Sequence, residues 1–238
     1  MPTLADHAIA FLLVAILPVY AAFEYRRLVR AVRAGVTGAR ARAYRGTILL
    51  QWALMGLTLA LWFLARRPAA MIGLAVPFDA RALAGAFVTA AGLSLLYWQW
   101  RAVVRLDGAG REALRAQVAA VADLVPRSPR EAALFRALAV TAGICEEVLY
   151  RGFLIWYLAA YVGSWPGALV AGVAFGVAHF YQGLGGVVKT GVVGLLTALL
   201  YVATDSLLWP VALHAAIDLQ GGAVGRHLLE GISPDPTP

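Results

Sequence analysis

The chain has 238 residues, of which 61% are hydrophobic and only 14% charged, with mean hydropathy +0.75 and net charge +7. A soluble domain carries roughly 25% charged residues and 45–50% apolar ones, so this composition excludes an ordinary soluble domain and points to a polytopic membrane protein. The single cysteine, Cys145, excludes an intrachain disulfide framework and a cysteine-built zinc cage.

The apolar runs set out the spans in chain order. The first covers about 8–23 and is preceded by Asp6 with no basic residue, so it reads as a retained helix with its N-terminus outside, not a cleaved leader. Arg26, Arg27, Arg30, Arg33, Arg40, Arg42 and Arg45 follow against a lone Glu24. Such a cluster marks a cytoplasmic loop by the positive-inside rule. It suits anionic lipid headgroups better than nucleic acid, because the basic residues fill the short gaps between apolar runs.

A second run, roughly 47–64, leads to a short outer segment with Arg66, Arg67, Pro68, Pro77 and Arg81. A third, roughly 82–100, returns through Tyr97, Trp98 and Trp100. Residues 101–136 hold seven arginines and four acids, and REALRAQVAAVADLV has the spacing of a helix lying along the membrane surface.

Four further runs follow at roughly 132–162, 165–182, 184–203 and 207–225. Trp165–Pro166 and Trp209–Pro210 mark two of their starts, since Pro is tolerated in a first helical turn. The expectation is an all-α transmembrane bundle of about seven helices, with its C-terminus inside. Residues 1–130 form an N-terminal jacket, 131–226 a core made of the last four helices, and 227–238 a Pro-rich, disordered tail. Gly163, Gly167, Gly172 and Gly176, about four apart, suit close helix packing in lipid.

Six ionisable residues fall well inside the last four runs: Glu146, Glu147, Arg151, His179, His214 and Asp218. Charge at that depth is costly and normally faces a protein interior or a water cavity, so six such groups imply a shared one. Glu147 and Arg151 stand four apart with the acid first, the favoured order for a helix ion pair. Glu146 points elsewhere, with Tyr150 at its i+4 position, and remains the unpaired carboxylate. His214 and Asp218 share a helix face, and His179 closes the sequence FGVAH. Two histidines with carboxylates could hold a metal or, without one, activate water and stabilise an oxyanion. No HExxH, GxSxG, P-loop or GxGxxG is present.

The order Glu-Glu-x-x-x-Arg (146–151), Phe-x-x-x-His (175–179) and His-x-x-x-Asp (214–218) resembles the CAAX protease and bacteriocin-processing (CPBP) family of intramembrane endopeptidases. The resemblance covers about 131–225. It implies that Glu146 with His179 activates the attacking water, while His214 and Asp218 stabilise the oxyanion or complete a metal site. Glu147, Arg151 and Phe175 would support them. A divalent metal such as zinc, held by Glu146, His179, His214 and Asp218, is the implied cofactor option. Asp218 stands where the prenyl-protein enzymes typically carry Asn; a carboxylate there is a poorer neutral donor and a better cation ligand. The implied substrate is a peptide or lipidated protein within the membrane, and the composition suggests a bacterial plasma membrane. A transporter or proton relay built on the same residues, and an inactive scaffold or immunity protein of the same fold, are the competing expectations.

Overall fold

A computed structural model describes residues 1–76 and 78–230. Pro77, expected in the outer segment, and residues 231–238, most of the expected tail, lie outside them. The protein is a bundle of helices that make up 86% of it, with no strand among the described residues. The helices are α1 (Leu4–Arg33), α2 (Ala39–Leu64), α3 (Ala80–Val104), α4 (Gly108–Val118), α5 (129–162), α6 (Ser164–Ala178), α7 (Gly183–Thr204) and α8 (Leu208–Leu229).

Local chemistry explains most of the ends. Thr3 and Asp6 form a reciprocal capping box at the start of α1. Asp79, Asp107 and Ser128 accept backbone N–H bonds at the starts of α3, α4 and α5. Pro129 occupies the first turn of α5, where its missing N–H costs nothing. Gly163, at φ 83°, breaks the chain between α5 and α6.

α1, α2, α3 and the stretch Phe180–Thr204 are long and apolar enough to cross a membrane. Large side chains on their outer faces, Leu49, Leu83, Phe87, Trp98 and Leu184 among them, are exposed. In water such a belt would be a liability; against hydrocarbon it is the expected surface.

Three elements differ from the sequence reading. α1 runs well past residue 23 to Arg33, because arginine favours helix and the arginine cluster simply continues the helix out of the apolar zone. The basic loop therefore shrinks to a turn at 34–38, made with Gly35 and Gly38 at positive φ. α6 is the second difference. Its 15 residues span about 22 Å, short of the roughly 30 Å of a hydrocarbon core, and it ends at Ala178 instead of reaching 182. Finally, α8 continues to Leu229, so residues 227–229 of the expected tail are its last turn.

The core is built by α5, which packs on α2, α6 and α8, while α6 packs along α7. Gly143 of α5 allows one close approach: a Cβ there would sit 2.8 Å from the Ala215 Cβ of α8. Gly172 and Gly176 serve α6 in the same way, against Leu195 and Gly191 of α7. Small residues at the contact replace the hydrophobic drive that lipid cannot supply.

One polar clamp closes the far end of α1. Arg67, just after α2, grips Asp6 with two bonds of 2.7 and 2.6 Å, and both side chains are largely withdrawn from solvent. Its guanidinium also lies over Trp62 and Trp156, 5.1 and 4.5 Å from the ring centroids. Removing the cation strands a buried carboxylate. Arg67→Met is expected to lower stability by about 2–3 kcal/mol, and the Asp6→Asn/Arg67→Met pair by less. Thermal unfolding in detergent measures both; equal losses would mean that the pair makes no net contribution.

Candidate active site

The site is organised by an irregularity in α5. From Glu147 to Leu154 the helix widens to π-helical bonding, and all eight residues there are buried. Such segments are rare and concentrate at functional sites, where the widened turn re-aims side chains that a regular helix would place elsewhere.

Glu147 is fully enclosed. Its Oε1 meets the Arg151 guanidinium at 2.9 Å and accepts from His214 Nδ1 at 2.7 Å. Arg151, 1% exposed, also donates to Thr197 Oγ1 at 2.6 Å and to the Gly194 carbonyl at 3.1 Å. Its guanidinium rests 4.3 Å from the centroid of Phe175. The ion pair expected from the i, i+4 spacing is present, and it does more than neutralise itself: the same carboxylate oxygen ties α5 to α8 through His214.

Phe175 sits at the centre of this group. Its ring meets Tyr150 and His214 edge-on, at 5.2 and 5.6 Å, and lies 4.7 Å from His179. His179 follows the last residue of α6, where the helix gives way to a short 3-10 turn at 180–182. Its Nδ1 is 2.8 Å from the Phe175 carbonyl. A carbonyl can only accept, so Nδ1 carries the proton and Nε2 of the neutral ring is left as the acceptor. The shortness of α6 therefore sets where the imidazole stands.

His214 is buried in α8 and is held the same way. Nδ1 donates to Glu147, and Nε2 lies 3.8 Å from Glu146 Oε2 and 3.6 Å from Asp218 Oδ2. Glu146 is thus not isolated. Its other oxygen, Oε1, accepts a 2.6 Å bond from Gln51 Nε2 on α2. Its side chain is 18% exposed and that of Asp218 is 38% exposed, against none for Glu147.

Glu146 and His179 line a cavity of about 620 Å³. It is walled by α1 and α2 and runs to Arg27, Val36 and Arg42 at their arginine-rich ends. Tyr25 and Tyr181, with ring centroids 5.2 Å apart, also line it. All the expected site residues therefore gather on α5, the end of α6, and α8. The helices expected to form a jacket supply the cavity's other wall and one direct partner, Gln51. The signal that could have found Gln51 was an amide standing alone in the apolar run 47–64.

Among the described residues, no three of His, Cys, Asp and Glu are grouped so as to hold a metal ion. His214 gives Nδ1 to Glu147 and His179 gives Nδ1 to a carbonyl, which leaves Nε2 as the remaining ring nitrogen of each.

Residues 128–220, less than half of the chain, match the family described as type II CAAX prenyl endopeptidase, Rce1-like. No curated protein and no solved structure matches the chain. The family match spans all three motifs, so the resemblance read from them is borne out over these residues.

The enclosed carboxylate generates a stability test. Arg151→Met leaves Glu147 with His214 as its sole partner and is expected to cost about 3–5 kcal/mol, the range for breaking a buried pair. Glu147→Met/Arg151→Met is expected to cost clearly less than the sum of the two single changes. Denaturant or thermal unfolding in detergent reads this, and strict additivity would refute the coupling.

Proposed function

We propose that this protein is an intramembrane endopeptidase in which Glu146 and His179 activate water against a peptide bond of a membrane-associated or prenylated substrate. The observation that carries this reading is the sharing of one cavity by Glu146 and His179, with His214 beside Glu146 and Asp218 beside His214. The bacterial plasma membrane is the proposed location.

The chemistry follows from the atoms available. A water in the cavity loses a proton to the Glu146 carboxylate, with His179 Nε2 accepting a hydrogen bond and orienting the attacking lone pair. The oxygen adds to the scissile carbonyl, and the tetrahedral oxyanion forms beside His214. Protonated His214 donates from Nε2, and Asp218 balances the imidazolium charge. Collapse breaks the C–N bond, and the proton held by Glu146 passes to the departing amine. General-base help of this kind contributes about 10²–10⁴-fold, and one oxyanion donor about 10²–10³-fold.

Glu147 serves this scheme by fixing the His214 ring through Nδ1, so that Nε2 faces the reaction. This role goes beyond the architectural one read from spacing alone. The cavity between α1 and α2 gives an extended peptide, or a hydrocarbon chain attached to it, a path to Glu146. Its apolar wall of Leu17, Leu28, Leu50 and Leu54 suits either.

The test uses purified protein in detergent and a peptide panel with and without a farnesyl group. Glu146→Gln and His179→Ala are each expected to lower kcat by at least about 100-fold, and His214→Ala by about 10²–10³-fold. Full activity in both Glu146→Gln and His179→Ala would refute the assignment. Loss of wild-type activity with chelator, restored by zinc, would bring a metal into the mechanism. Ion or solute flux in liposomes that depends on these residues, with no peptide cut, would replace it with a relay.

A further inference from the structure

We propose that Gln51 is the positioning residue of the catalytic carboxylate: a neutral amide on α2 that fixes one oxygen of Glu146 and leaves the other for water. This rests on the endopeptidase reading of Glu146. Gln51 lies outside the stretch that matches the family, so nothing in that match assigns it a role.

The two adjacent acids are held by opposite kinds of partner. Glu147 is met by a guanidinium and an imidazole on a single oxygen, and is wholly enclosed. Such a carboxylate is poorly placed as a base, because it is shut off from the cavity and held by Arg151. Glu146 lines the cavity and has a neutral donor at 2.6 Å on Oε1, while Oε2 keeps only a distant imidazole at 3.8 Å. A neutral donor orients a carboxylate without cancelling its charge. The difference between a structural acid and a reagent here is the difference between Arg151 and Gln51.

The rest of the Gln51 side chain argues against a packing role. Its Oε1 is buried without a partner. An unmet buried acceptor costs about 1–3 kcal/mol, and a leucine would suit the surrounding apolar run better. The bond to Glu146 is the one polar contact that the side chain makes among the described residues. The next residue fixes its register: Trp52 Nε1 donates to Thr141 Oγ1 of α5 at 3.2 Å. α2 is thereby pinned to α5 five residues before Glu146, and the amide is delivered to the same place each time.

The test compares Gln51→Met, similar in size without a donor, and Gln51→Asn, whose donor falls one methylene short. Both are expected to lower kcat roughly 10- to 100-fold, as for a lost hydrogen bond to a charged group, with KM within about two-fold. A second measurement does not depend on activity. In thermal unfolding, the shift caused by Gln51→Met is expected to be more unfavourable in the Glu146 protein than in the Glu146→Met background. Unchanged kcat in both variants, or equal shifts in the two backgrounds, overturns the positioning role alone. A wild-type protein that cuts no peptide overturns the endopeptidase reading, and unequal shifts would then show Gln51 gripping an acid with another purpose.

Discussion

One buried oxygen, Oε1 of Glu147, holds the centre of this protein together. It binds Arg151 within its own helix and His214 on α8, while Arg151 reaches on to Thr197 and Gly194 of α7. Three helices that would otherwise associate only through small-residue contacts are thereby joined by charge-assisted bonds. In hydrocarbon such bonds have no water to compete with them, and unpairing any member exposes a charge to a medium that cannot solvate it. The register of α5, α7 and α8 is therefore fixed by polar geometry, and the packing of Phe175 among Tyr150, His179 and His214 follows from it.

This constraint also separates the two neighbouring acids. In a regular helix adjacent side chains diverge by about 100°, and the widened turn that begins at Glu147 sets the rest of the segment apart further. Glu147 turns inward to the cations, while Glu146 turns to α2 and the cavity. Glu147 takes Arg151 and the near nitrogen of His214, so Glu146 is left with Gln51 and the far nitrogen of the same ring. The N-terminal helices then matter chemically. Without α2 the Glu146 oxygens would have only His214 nearby, and without α1 the cavity would lack a wall.

Much of this was legible in the sequence. Hydropathy located the spans, and the spacing of Glu147 and Arg151 foretold their ion pair. The three motifs singled out the ionisable residues that meet at the site on α5, α6 and α8, though not Tyr150, which packs on Phe175. What escaped was what depends on backbone irregularity or on partners remote in the chain. The π-helical stretch has no local signature in VLYRGFL, since no proline or glycine pattern forces it. The tie between Glu147 and His214 spans 67 residues, and that between Gln51 and Glu146 spans 95. Periodicity reports which face a residue occupies, never which distant helix meets that face. The early end of α6 was hidden as well, because Phe180 and Tyr181 prolong the apolar run beyond the last helical turn.

That early end explains how a cavity can open among helices that face lipid. Backbone released from a helix at membrane depth must be met by protein or by a water-filled cavity. The chain does both after Ala178: a 3-10 turn keeps residues 180–182 bonded, and the freed end of α6 opens onto the cavity with His179 at its wall. The cavity runs from there to Arg27 and Arg42, at the end of the bundle that the positive-inside rule assigns to the cytoplasm. Water and an extended polar chain can enter from that side along the arginine-rich rim, while hydrocarbon can lie against the leucines of α1 and α2. A cavity at the inner end of a short helix thus offers both a polar rim and an apolar wall, which one enclosed at the centre of seven full-length spans could not do.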